Sequence, residues 1–283
     1  MDFILNEESL KGQFTDIKCF LRSLATNTRC FELIHKNGEN NIYKIYDFYK
    51  CHITSDERIC DLKNNKYSDE LLWFQIQLDQ EIRTVPYWDE NPRHDMSQRY
   101  TWEGKDITAT AIAEAAERNA PMLSFELDSF IDKELKVVMN DTEHTIFSIF
   151  SPKYLAEICS GQIGLSRSDQ LKIRYEDTRI DCTFLEEKYG PEMLEEHEYL
   201  MLITSLDKFI NHSAWEDIDR DDGLRYKKYK PSDKDDWFRN SPFHRQTIMK
   251  FRFSDVLRAY GYRHKDRFRL LRLERNHKKS DKG

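Results

Sequence analysis

The residues best suited to chemistry crowd into one stretch, KFRFSDVLRAYGYRHKDRFRLLRLERNHKK, from Lys250 to Lys279. In and beside it His244, His264 and His277 supply imidazoles, the side-chain type suited to acid and base work, while Lys250, Arg252, Arg258 and Arg263 supply positive charge. RNA can be cut without a metal when its own 2′-hydroxyl attacks the adjacent phosphate. That reaction needs a base for the hydroxyl, cations for the phosphorane and an acid for the leaving 5′-oxygen. All of these residue types are present here. His244 or His277 would act as base or acid, Lys250, Arg252, Arg258 and Arg263 would stabilise the phosphorane, and Tyr260 or Tyr262 would stack a base. Arg267, Arg269 and Lys278 extend the set that can grip phosphate. The plain alternative is a solvated charged surface, since no spacing here is as diagnostic as H-E-x-x-H.

These side chains are useful only if strands present them. VLRAYGYR and RFRLLRLER are short aliphatic, aromatic and arginine runs separated by HKD, which predicts a β-hairpin turning at Lys265 and Asp266, with KFRF as a third strand. Side chains alternate faces along a strand. Phe251 and Phe253 therefore share one face, Lys250 and Arg252 the other, and Arg258, Tyr260 and Tyr262 project together. A sheet with its apolar face on a core and arginines and tyrosines on the other suits nucleic acid.

Charge supports the same end of the chain. From Ser241 to Gly283 there are 13 Lys and Arg against 4 Asp and Glu, within a protein whose net charge is -7. Three expectations follow from this polarity. The basic sheet cleaves or binds nucleic acid, with RNA favoured over DNA; or it is a non-catalytic module for nucleic acid or an acidic protein partner; or it docks on the acidic remainder as a structural element. The acidic remainder itself offers a surface for a protein inhibitor or partner.

The hairpin LRAYGYRHKDRFRLLRLERNHKK, with arginine opening one strand, aliphatics filling the next and HKK at its end, resembles the C-terminal half of RelE and HigB type toxins. Those are small α+β ribonucleases whose strands carry basic and aromatic catalytic residues. The resemblance covers about 40 residues. It implies metal-independent mRNA cleavage, with Arg258, Arg263, His277 and Lys278 as counterparts of the family's basic residues. The chain departs from that family in placing a body of about 200 residues ahead of the hairpin. As a whole it also resembles uncharacterised bacterial proteins of toxin and phage-defence contexts.

A second constellation is RYEDTRIDCTFLEEKYG, in which Asp181, Glu186 and Lys188 mimic the acid and Glu-x-Lys order of metal-dependent nucleases. The short gap between Asp181 and Glu186 is awkward for two strands, and a charged loop is the simpler expectation. In DIDRDDG, Asp217, Asp219 and Asp221 alternate as in a calcium loop, but Asp222 stands where glycine is needed and Lys228 where a closing glutamate is needed. That reading is rejected. No G-x-G-x-x-G, Walker A loop or G-x-S-x-G elbow occurs, so no nucleotide cofactor or serine-hydrolase site is expected.

The 283 residues can bury a real core, and 17 Phe, 14 Tyr and 5 Trp argue against disorder. Cysteines at 19, 30, 51, 60, 159 and 182 form no C-x-x-C pair, so no zinc or redox motif is legible. Reduced thiols, a cytoplasmic location and no membrane role are expected: the start of the chain lacks a signal-peptide pattern, and the longest apolar run, YLMLITSL, is too short to span a bilayer.

The expected fold class is α+β, an acidic mixed helix and strand body with a basic C-terminal antiparallel β-region. The division falls at 1–212 and 213–283, because SAWEDIDRDDGLRYKKYKPSDKDDWFRNSP is polar and turn-rich and makes the best candidate boundary. Within the body a hairpin is expected from Cys30 to Tyr49. A helix follows Ser68 and stops at Pro86, another runs from about Thr108 to Asn119 into the strand MLSFEL, and LKVVMNDTEHTIFSIFS forms a second hairpin. PEMLEEHEYLMLITSLDKFINH is the strongest helix of all.

Overall fold

A computed structural model describes residues 1–36, 39–64, 66–231 and 236–276. The chain is α+β and divides into two compact units, Met1–Leu165 and Ser166–Gly283. The first holds 28 Asp and Glu against 18 Lys and Arg, the second 23 against 26, so the charge polarity follows the structural division.

The first unit is built on a seven-stranded mixed sheet. In chain order its elements are β1 (Asp2–Leu5), α1 (Ile17–Lys36), β2 (Asn41–Tyr43), α2 (Asp69–Arg83), β3 (Tyr100–Trp102), β4 (Lys105–Asp106), α3 (Ala111–Arg118), β5 (Met122–Leu123), β6 (Lys133–Met139), β7 (Thr142–Ile149) and α4 (Pro152–Cys159). The sheet order is β2-β1-β5-β7-β6-β3-β4, with β2, β1, β5 and β7 parallel.

Several local expectations hold in this unit. Ser68 stands at the N-cap of α2, and α3 leads through a left-handed Asn119 into β5. β6 and β7 form the expected hairpin, tightened to a two-residue turn whose Asn140 and Asp141 both take positive φ, as a type I′ turn requires. The hairpin expected from Cys30 is corrected. Phe20, Leu21, Leu24, Phe31 and Ile34 recur at helical spacing and are all buried, so α1 carries this segment through to Lys36, and β2 pairs in parallel with β1. α3 brings Ile112, Ala113, Ala115 and Ala116 onto Leu135, Val137 and Ile146 of the sheet, where small residues allow close packing.

The second unit comprises α5 (Arg167–Tyr175), β8 (Ile180–Asp181), α6 (Glu196–Asn211), α7 (Trp215–Arg220), β9 (Lys227–Lys228), β10 (Met249–Arg252), β11 (Arg258–His264) and β12 (Arg267–Glu274). Its sheet order is β8-β12-β11-β10-β9, antiparallel except where β8 joins β12. The β11–β12 hairpin turns at Lys265 and Asp266 as expected, and KFRF supplies β10. Opposite Tyr260 and Gly261 stand Arg272 and Leu270, so Leu271 is an extra, bulged residue.

The boundary near residue 212 is corrected to 165/166. Tyr199, Leu202, Leu206 and Phe209 of α6, with Leu171 and Tyr175 of α5 and Trp215 and Ile218 of α7, share one core with Phe251, Phe253, Ala259, Phe268 and Leu270 of the sheet. The polar, turn-rich stretch after α6 belongs to this unit, as the expected division also had it. Tyr229, Phe238 and Ile248 cover the opposite sheet face, packing with Tyr260, Tyr262 and Leu271. The C-terminal sheet is therefore covered on both faces, and the basic face expected to meet solvent is largely enclosed.

Candidate functional site

The strands deliver the predicted residues to different places. Lys250 pairs in register with Tyr260 and is buried, its ammonium 5.9 Å from the Tyr229 ring centre. Tyr260 is wholly buried and donates its hydroxyl to Glu274 at 2.6 Å. Tyr262 is buried too and accepts from Arg269 Nη1 at 2.9 Å, while the Arg269 guanidinium lies 4.4 Å from the centre of the Phe184 ring. The expectation that either tyrosine presents an open face to an RNA base is thus corrected: Tyr229, Trp237 and Phe238 pack on Tyr260, and Phe243 packs on Tyr262.

The arginines are mostly committed to the backbone. Arg252 donates to Gly223 O and Asp222 O at 3.0 and 3.2 Å. Arg258 holds the turn ahead of β11 by donating to Ser254 O and Leu257 O, both at 2.9 Å, and to Asp255 O at 3.0 Å. Arg267 donates to Glu176 O at 2.6 Å and Ile180 O at 2.8 Å, tying the end of α5 to β8. Carbonyl oxygens satisfy a guanidinium without neutralising it, but they fix its direction. His244 is exposed, with its Nδ1 donating to Ser241 O at 3.0 Å. His277 and Lys278 lie outside the described residues. The expected convergence of Lys250, Arg252, Arg258 and His244 over one phosphate is replaced by separate anchoring roles.

The metal-nuclease constellation also separates. Asp181 ends β8 and accepts from Thr183 Oγ1 at 2.5 Å, with Arg269 Nε 3.4 Å away. Glu186 pairs with Arg272 at 2.7 Å, and Lys188 lies in a 3-10 turn beside Tyr189. Each carboxylate already faces an arginine, and no cluster of three metal-ligating side chains occurs among the described residues.

One predicted cation does face open space. Arg263 stacks its guanidinium 4.2 Å from the centre of the Trp215 ring, and its Nε donates to Lys265 O at 3.1 Å. It lines a cleft of about 380 Å³ with Trp215, Asp219, Tyr226, Arg245 and Thr247. The alternation explains its position: Arg263 lies two residues beyond Gly261 on the face that packs against α7. Met249 also lines the cleft and pairs with Lys228, and both Lys227 and Lys228 are exposed on the edge strand. Cations, an aromatic face and open volume thus occur together here.

A second cleft lies in the first unit, where sequence reasoning placed nothing. It has a volume of about 360 Å³ between α1, β2 and α2. Lys44, just past β2, is almost completely buried at its side. Its Nζ donates to Ile42 O at 3.0 Å and lies 3.5 Å from Glu81 Oε1, while Glu81 Oε2 is 2.8 Å from His35 Nε2. Burial lowers the Lys44 pKa, against the opposing pull of Glu81. The hydrogen bond to Glu81 raises that of His35. Forty-six residues separate His35 from Glu81, so no local motif announces the group. The one available signal was a lysine between Tyr43 and Ile45 at the end of an apolar strand.

In a sheet with parallel strands, ligands often enter where successive connections leave in opposite directions. Here that place is the carboxyl end of β1 and β5, and the protein fills it with its own polar side chains. Asn6 Nδ2 donates to Ser124 Oγ at 2.9 Å, Ser124 and Ser148 hydroxyls meet at 2.7 Å, and Asn27 Nδ2 donates to Ser124 O at 2.8 Å.

Two open clefts, one cationic and one built on a buried lysine, thus define an α+β protein of two units. No protein-family model, curated protein or solved structure matches the chain. Among the described residues no helix is long and apolar enough to cross a membrane, and all six cysteines are free.

Proposed function

We propose that the protein binds nucleic acid, RNA in preference to DNA, through the Arg263 cleft and the lysine edge of the second unit, and that it does so without cutting the strand. The supporting observation is the stacking of Arg263 on Trp215 beside Arg245, at a cleft open to solvent. A guanidinium held over an indole can still turn its terminal N–H groups to phosphate oxygens, and the contact limits the entropy lost on binding. Lys227 and Lys228 extend the positive surface along the strand edge. Cleavage is left out because the cations assigned to the phosphorane are anchored elsewhere, with Arg252 and Arg258 on backbone carbonyls and Lys250 under the Tyr229 ring.

The test is fluorescence anisotropy with a labelled single-stranded RNA and a DNA of the same sequence. Binding should weaken steeply with salt, because each neutralised phosphate releases counterions. Arg263→Ala with Arg245→Ala should remove most of the affinity and flatten the salt slope by about 0.7 per lost contact. Unchanged affinity in the double variant would overturn the assignment of the site, and fragmentation of the RNA in EDTA would restore a cleavage role.

A further inference from the structure

The Lys44 cleft contributes none of the residues assigned above to nucleic-acid binding, yet it contains the elements of a covalent site. We propose that Lys44 forms an imine with a small, neutral aldehyde or ketone bound between α1 and α2, with Glu81 and His35 moving the protons. Three features of the arrangement favour a carbonyl compound over an anion. First, Glu81 lies 3.5 Å from the amine and Glu32 lines the same cleft, so a phosphate or carboxylate would meet like charge. Second, the lysine lines the cleft with its side chain almost wholly buried, and removal from water is how an amine becomes a nucleophile near neutral pH. Third, Asn40, Asn41, Gln77, Gln80 and Thr84 line the walls, offering amide and hydroxyl groups to a polyhydroxylated carbonyl compound.

The chemistry balances within these groups. Glu81 takes a proton from the Lys44 ammonium, and the amine lone pair forms a bond to the carbonyl carbon. The carbonyl π pair moves to oxygen, which takes the proton held by Glu81, and the nitrogen, now positively charged, gives a proton back to Glu81 to leave a neutral carbinolamine. Glu81 delivers that proton to the hydroxyl, which departs as water while the regenerated nitrogen lone pair closes the C=N bond of a protonated imine. His35 is half-exposed and joined to Glu81 at 2.8 Å, so it connects the carboxylate to solvent for these transfers. The carbonyl compound and one water are the only reactant and leaving group.

The alternative is a buried ion pair that merely fastens α2 beside β2. Trapping separates the two. The full chain is incubated with dihydroxyacetone and sodium cyanoborohydride, which reduces an imine to a stable amine, and its lysines are mapped by peptide mass spectrometry. Lys44 should be modified at least about tenfold faster than any other lysine. Glu81→Gln, which retains the lysine, should slow modification of Lys44 by about 100-fold, with far-ultraviolet circular dichroism confirming that the variant is folded. Adducts spread over surface lysines with Lys44 spared would overturn the proposal, as would unchanged trapping in a folded Glu81→Gln protein.

Discussion

The Tyr260 hydroxyl donates to Glu274 Oε2 at 2.6 Å across the β11–β12 pair, with both side chains buried. A carboxylate deprived of water depends on such donors, and this one comes from the strand next to it. The Tyr260 ring meets Tyr229 and Trp237 edge-on at 5.3 and 5.4 Å, so hydroxyl and ring fasten the sheet to its cover together. Tyr260→Phe keeps the ring contacts and removes the donor. It should destabilise the second unit by about 1–3 kcal/mol, read as a lower urea midpoint with little change in slope. Glu274→Gln, which needs less solvation, should be milder.

Gly261 allows an approach that no other residue tolerates. A Cβ placed there would lie 2.1 Å from the Arg269 carbonyl oxygen and 2.7 Å from the Phe268 ring. The bulge at Tyr260 and Gly261 brings the strands this close. Gly261→Ala should therefore part β11 from β12 and cost more than about 3 kcal/mol. Loss of the second unit's cooperative thermal transition is the expected result, and a wild-type midpoint would contradict it.

Two arginines of the same sheet should respond in opposite ways. Arg272 is buried, pairs with Glu186 at 2.7 Å, donates to Trp237 O at 2.5 Å and lies 4.5 Å from the centre of the Phe238 ring. Arg263 is exposed at its cleft. Arg272→Ala should lower stability by about 3 kcal/mol, since it leaves partners of a buried charge unsatisfied. Arg263→Ala should leave the melting temperature within about 1–2 °C while weakening RNA binding. Paired melting and anisotropy measurements on both variants check the contrast.

Glu7 makes the first unit sensitive to pH. Its carboxyl is buried, Oε1 accepts from the Ala111 N–H at 2.7 Å at the start of α3, and Oε2 has no hydrogen-bond partner among the described residues. Burial pushes its pKa up to about 7, partly offset by the bond from Ala111. Because the folded value lies above the unfolded one, its stabilising contribution is full below about pH 4.5 and fades as pH rises through 7. Relative to Glu7→Gln, the wild-type protein should lose about 3 kcal/mol between pH 4 and pH 8. Denaturant unfolding across that range tests it, and parallel curves for the two proteins would refute the assignment.

Legibility in the sequence followed the range of the interactions. The β11–β12 hairpin could be read because its alternation and its Lys265–Asp266 turn are local, as are the Asn140–Asp141 turn and the cap at Ser68. The stretch from Ser213 to Pro242 reads as polar and turn-rich because its aromatic residues stand singly among charges, and only the sheet beneath shows that Tyr229 and Phe238 share a surface with Ile248. Lys250 falls on the face expected to meet solvent because alternation distinguishes two faces without saying whether the second is covered. α1 concealed its period behind Cys, Thr and Asn, although Asn27 and Thr28 are themselves buried. The Lys44, Glu81 and His35 group comes from three elements, and the lysine between Tyr43 and Ile45 is its one local signal.

The parallel seam between β8 and β12 also bears on how the protein is made. Ile180 lies beside Phe268, roughly ninety residues later, and β12 bridges β8 to the rest of the sheet. During translation α5, α6 and α7 emerge first, with Leu171, Leu202, Leu206 and Phe209 waiting for Phe268 and Leu270 to cover them. The nascent second unit therefore stays sticky until the ribosome has released β12, and a stall before Arg267 would leave a species that only a chaperone keeps from aggregating.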